Sequence, residues 1–105
     1  MIVTFEKQYL SDLYEKGKSN DKKHRFQPYI IEKYKERIDT LKKAHKIEDL
    51  YVISSLNYEV LEGDKKGISS IRVNHKYRIE FTVIDNNIDK FFTICNIEEL
   101  TNHYK

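Results

Sequence analysis

This sequence has one cysteine, one proline, three glycines, no tryptophan, no long apolar run and almost no net charge. Each shortage closes off a class of protein. Cys95 stands alone in the run Phe91-Phe92-Thr93-Ile94-Cys95, so no intrachain disulfide and no cysteine-based zinc site can form, and a reducing cytoplasm suits the chain. No apolar stretch nears the roughly 20 residues of a membrane span. The start, Met1 to Lys7, lacks the basic segment and apolar core of an export signal, so a cytoplasmic protein with no membrane partner is expected. Nineteen Lys and Arg against 17 Asp and Glu leave a net charge of +2, so attraction to a polyanion must come from where basic groups sit. No repeat, low-complexity tract or linker interrupts the 105 residues, which suffice for a single domain over 1–105 with one modest core.

Eight Tyr, five Phe and the aliphatic residues supply that core. Met1 to Phe5 reads as a short strand, and Tyr9, Leu10, Leu13 and Tyr14 follow at helical spacing until Gly17 stops the helix. Pro28 marks the start of a second helix, because proline is tolerated in the first turn and nowhere deeper. Behind it Ile30, Tyr34, Ile38 and Leu41 recur every three or four residues, with Lys33, Lys35, Arg37, Lys42 and Lys43 on the solvated face. The pattern lapses from Ile47 to Ser55 and then alternates. Tyr58 to Glu62, Ile68 to Val73, Tyr77 to Ile84 and Ile88 to Cys95 are strand candidates, separated by short turn sequences. Those connections are too short for parallel crossovers, so the fold class is α+β, an antiparallel meander with both helices on one face. The last ten residues, Asn96 to Lys105, are expected to hold one helical turn over Ile97 to Leu100.

The clearest chemical signal lies in the third and fourth strands. Ile71 and Val73 alternate with Ser70, Arg72 and Asn74, and Tyr77, Ile79, Phe81 and Val83 alternate with Arg78, Glu80 and Thr82, so one face is apolar and the other polar. Closing the hairpin through Asn74, His75 and Lys76 pairs Ile71 with Ile79 and Val73 with Tyr77, and sets Arg72 opposite Arg78; a two-residue turn would scramble both faces. Two arginines across a ladder repel, and a group of opposite charge makes the arrangement favourable; guanidinium forks match phosphate geometry. Taken singly, each arginine also fits a surface side chain paired with a carboxylate such as Glu80 or Glu62, Glu59 a solvated strand residue, and His103-Tyr104 a frayed end. Gly63 to Gly67 lacks the Gly-Lys-Ser/Thr of a phosphate loop and reads as a hairpin turn. His24, His45, His75 and His103 have no helical metal-pair spacing, so no metal site and no cofactor are predicted.

The stretch Tyr58 to Phe81, with Leu-x-Gly-Asp-x-x-Gly at Leu61 to Gly67 and Arg-Ile-x-Phe at Arg78 to Phe81, resembles the central block of HigB-type toxins in the RelE/ParE superfamily. The opening strand and helix, Phe5 and Tyr9 to Gly17, resemble the start of HigB proteins, so the likeness covers nearly the whole chain. It implies a RelE-like fold, two N-terminal helices on a curved antiparallel sheet of four to five strands. It also implies the toxin of a type II toxin-antitoxin system, a ribosome-dependent endoribonuclease that cuts mRNA.

In the YoeB-like branch of that superfamily a glutamate acts as base, a C-terminal histidine as acid, two strand arginines serve the phosphate and a terminal tyrosine completes the site. Those roles fall on Glu59, His103, Arg72, Arg78 and Tyr104. Better-known HigB sequences carry histidine at the place of Glu59 and lysine at that of Glu62, and end in Asp-Tyr-His, so this chain departs from them at each point. Under this reading Lys65, Lys66 and Lys76 bind RNA, and the basic face of the second helix is either solvated or against ribosomal RNA. The implied chemistry is metal-independent attack of a ribose 2′-hydroxyl, giving a 2′,3′-cyclic phosphate. The implied partners are the ribosome, mRNA and a helix-turn-helix, HigA-like antitoxin. The alternatives are a ParE-like inhibitor of DNA gyrase on the same fold, or an inactive member acting as an interaction module.

Overall fold

The computed structural model describes residues 1–85 and 92–102. The elements run β1 (Ile2–Phe5), α1 (Gln8–Lys16), α2 (Pro28–Lys43), α3 (Glu48–Tyr51), β2 (Glu59–Val60), β3 (Ser69–Arg72), β4 (Tyr77–Asp85) and β5 (Thr93–Asn102), with 3-10 turns at Ser54–Leu56 and Gly63–Lys65. Both long helices form where the periodicity predicts them. Gly17 ends α1 at φ 74°, and its N–H donates to the Leu13 carbonyl. Pro28 opens α2, as a ring without an N–H does without cost in a first turn.

The five strands lie in the order β1-β5-β4-β3-β2. From β2 to β5 the sheet is the expected antiparallel meander, but β1 runs parallel to β5, pairing Ile2 with Ile94 and Phe5 with Ile97. The short-connection argument constrains only strands joined by turns. β1 leads into helices, so nothing fixed its direction.

Ile97 to Leu100, expected as a helical turn, is strand, part of β5. Both side chains are buried at a spacing of three, which reads as helix. The register explains it: Phe81 faces Ile97 and Glu80 faces Glu99, so Glu98 is the extra residue of a bulge that turns both apolar neighbours to the core.

Tyr9, Leu10 and Leu13 of α1 and Ile30, Tyr34, Ile38 and Leu41 of α2 pack on Ile71, Val73, Ile79, Phe81, Cys95, Ile97 and Leu100 of the sheet. No helix among the described residues is long and apolar enough to cross a membrane. The buried Cys95 thiol is pushed up to about 11 by desolvation, which leaves it an apolar filler. Inside this core the Tyr34 hydroxyl donates to the Leu10 carbonyl at 2.7 Å and clamps α2 to α1.

Burial raises the Tyr9, Tyr34 and Tyr58 hydroxyls above their ordinary value of 10.0. A raised folded value means that their contribution to stability is whole below about pH 10 and is lost as pH climbs from there through the raised range. Tyr34→Phe is expected to cost about 1 kcal/mol at neutral pH, from the lost hydrogen bond, and to soften the alkaline decline; urea titrations at neutral and alkaline pH measure both.

Candidate functional site

The hairpin closes through Asn74, His75 and Lys76, with the Asn74 carboxamide oxygen accepting from the Lys76 and Tyr77 N–H groups at 2.9 and 2.8 Å. Ile71 therefore faces Ile79 and Arg72 faces Arg78, as the alternation requires. Ladder pairing also lines up Glu59, Ser70, Glu80 and Glu99 across four strands, so these side chains share the polar face with both arginines.

That face is not simply solvated, for Arg78 is only 4% exposed. Its Nε donates to Ser70 Oγ at 2.6 Å, one Nη to the Asn57 carbonyl at 2.9 Å, and the same nitrogen lies 3.5 Å from Glu59 Oε1. Arg72 remains exposed, with its carbonyl accepting from Arg37 Nε of α2 at 2.9 Å. The repulsion across the ladder is thus relieved by turning one guanidinium inward onto acceptors and leaving the other in water.

Glu80 takes a different cation. Lys65 Nζ donates to both its carboxylate oxygens at 3.0 Å. Glu62 is exposed and makes no ion pair among the described residues. Lys66 and Lys76 are exposed in the turns that flank β3. His103 and Tyr104 lie outside the described residues. The structure therefore brings Glu59 and Arg78 together, sets Arg72 beside them and adds Lys65 through Glu80.

Sequence reasoning missed Ser70 and Asn57, which hold Arg78. Ser70 was within reach, since it shares a face with Arg72. Asn57 was not, because its part is played by a backbone carbonyl fixed by a left-handed φ of 44°. The basic face of α2 also looks different in the fold. Lys33 and Lys35 pair with Glu36 and Glu32, and Lys42 lies over the Tyr14 ring.

Between Lys16 and Arg25, by contrast, five cations stand against one carboxylate, Asp21, a greater excess than that of the whole chain. Lys18, Lys22, His24 and Arg25 line a pocket of about 350 Å³ there. The His24 hydrogen bond is the main cause that holds the Asp21 carboxyl below its usual range.

Replacing Ser70 with Ala removes the acceptor of the buried Arg78 Nε–H and is expected to lower stability by about 1–3 kcal/mol. Glu59→Gln removes a half-exposed partner and should cost under about 1 kcal/mol. Urea midpoints of the two variants, compared with the parent, test whether Ser70 rather than Glu59 anchors Arg78.

The family described as HigB-like toxin, a RelE-like toxin of the type II toxin-antitoxin system HigB, matches residues 3–93. Toxin HigB-1 of Vibrio cholerae serotype O1 is 37% identical over 86 residues, which cover 81% of this chain and 86% of that one. Among solved structures, the YoeB/ParE toxin from Agrobacterium tumefaciens is similar with a TM-score of 0.61 at 17% identity, covering 99% of this chain and 100% of that one. The heterotetrameric YoeB-YefM toxin-antitoxin complex from Staphylococcus aureus contains a chain similar at 25% identity with a TM-score of 0.57, covering 99% of this chain and 98% of that one.

Proposed function

Because the chain belongs to the HigB-like family of RelE-like type II toxins, we propose that it arrests translation as a ribosome-dependent endoribonuclease that cuts mRNA without a metal. The observation that carries this reading is the Glu59 carboxylate, half exposed and 3.5 Å from the buried Arg78 guanidinium, with the exposed Arg72 on the same face. A general base must stay accessible and oriented, and Arg78 orients Glu59 from beneath.

In the proposed reaction Glu59 removes the proton of a ribose 2′-hydroxyl, and the freed oxygen attacks the adjacent phosphorus. Charge develops on the non-bridging oxygens. Arg72, free in solvent, meets that charge directly, while Arg78 adds its field from the floor of the site. The bond to the 5′-oxygen breaks, His103 protonates that leaving oxygen, and the products are a 2′,3′-cyclic phosphate and a 5′-hydroxyl. Tyr104 stacks on a base; its role and that of His103 rest on the family resemblance alone. Lys65 compensates for the acidic residue at position 62, because Glu80 holds its ammonium on the face that carries the arginines. Lys66 and Lys76 bind flanking phosphates.

The partner that restrains this activity would be a helix-turn-helix, HigA-like antitoxin, and the site of action the ribosome in the cytoplasm. The YoeB-YefM complex supports the general form of such a pairing.

Purified chain, ribosomes and message should yield fragments with 5′-hydroxyl and cyclic-phosphate ends. Glu59→Gln and Arg72→Ala are each expected to lower kcat by at least about 100-fold. Growth arrest on expression with message left intact and DNA damage induced would instead favour gyrase inhibition and overturn the nuclease reading.

A further inference from the structure

Tyr51, Val52 and Ile53 form three consecutive exposed apolar residues, with Tyr51 59% and Val52 85% exposed. Such a run on a small domain marks a contact surface. It borders a pocket of about 500 Å³ lined by Tyr51, Ile53, Ser54, Asn57, Tyr58 and Glu59. Glu59, the proposed base, is among the residues that line this pocket, which sets the pocket beside the site at the β2 edge of the sheet.

The pocket has a rigid and an open side. Tyr58 is fixed by its hydroxyl, 2.8 Å from Ser69 Oγ, and by its contact with Phe81. Tyr51 leans on it with ring centroids 5.2 Å apart and planes tilted by 40°, and presents the rest of its ring to solvent. Asn57 spends both backbone groups on the fold, donating its N–H to the Ser54 carbonyl at 3.1 Å and accepting from Arg78 at 2.9 Å. Its carboxamide hydrogen-bonds nothing among the described residues. An aromatic face beside an amide and a hydroxyl is the chemistry that receives a nucleobase, by stacking on one side and by hydrogen bonds at the base edge.

We infer that this pocket holds the base of the nucleotide whose 2′-hydroxyl Glu59 deprotonates, the one on the 5′ side of the cut. The inference rests on the nuclease reading, since it is the nearness of Glu59 that selects this nucleotide. Tyr51 supplies the stacking surface, and the Asn57 carboxamide, with the Ser54 hydroxyl, reads the base edge. The occupant is single-stranded RNA, because a base held on Tyr51 leaves its ribose next to Glu59, whose half-exposed carboxylate can accept a hydrogen bond from a 2′-hydroxyl.

Two measurements test the pocket separately from the reaction. A trinucleotide carrying 2-aminopurine on a 2′-deoxyribose at the cut position should have its fluorescence quenched by the wild-type chain. Tyr51→Ala should weaken that binding by about tenfold, and Tyr51→Phe should keep it within about twofold. Thermal midpoints check that the variants, altered at an exposed position, stay folded. In ribosomal cleavage, Tyr51→Ala should raise KM and change the distribution of cut sites while leaving the pH profile in place.

A wild-type chain that quenches the probe and cleaves nothing keeps the pocket and removes the nuclease reading. One that fails to quench the probe overturns the pocket. So does a Tyr51→Ala variant that cleaves the same sites as efficiently as the parent, and in that case the nuclease reading stands.

Discussion

A guanidinium held at 4% exposure in the middle of a sheet needs acceptors from every side, and much of this structure answers that need. Ser70 serves from the neighbouring strand and the Asn57 carbonyl from the chain that crosses above it. Holding that carbonyl in place requires Asn57 in the left-handed region, which asparagine tolerates better than most residues. The turn so fixed leads directly into β2 and delivers Glu59 onto the same guanidinium. The Glu59 carboxylate is therefore placed by the satisfaction of one buried cation.

The same logic extends along the polar face. Glu80 and Glu99 stand opposite each other in the ladder, a pairing of like charges that would destabilise the sheet if left alone. Each has its own lysine, Lys65 for Glu80 and Lys7 for Glu99, and the Tyr9 hydroxyl also donates to Glu99. Lys65 comes from the turn after β2 and Lys7 from the turn after β1, so the face is closed at both margins by loops that carry cations. The arginines and these acidic residues balance locally, which is how a near-neutral chain still concentrates charge on one face.

Alternation made the hairpin legible: only a three-residue loop keeps Ile71, Val73, Ile79 and Phe81 together, and that choice alone sets Arg72 against Arg78. Helical spacing likewise exposed α1 and α2 through their buried stripes. What stayed hidden was whatever breaks a period. The extra residue Glu98 gave Ile97 and Leu100 a helical look within a strand. The direction of β1 depends on a partner more than 90 residues away and leaves no local trace. At the candidate site, the sequence pointed to side chains and so named Glu59 and the arginines, which the fold sets on one face, while a backbone carbonyl such as that of Asn57 carries no residue signature.

The place of β5 between β1 and β4 has a consequence in time. A chain emerging from a ribosome makes β1 first, but Ile2 has no strand to pair with until Ile94 has been synthesised. Cys95, Ile97 and Leu100, which complete the core, arrive in the same late segment. Such long-range closure comes late in folding. The polar face that carries Glu59 and the arginines is therefore locked into its sheet only once synthesis has passed that segment, and a chain still being made holds that face open until its last strand arrives.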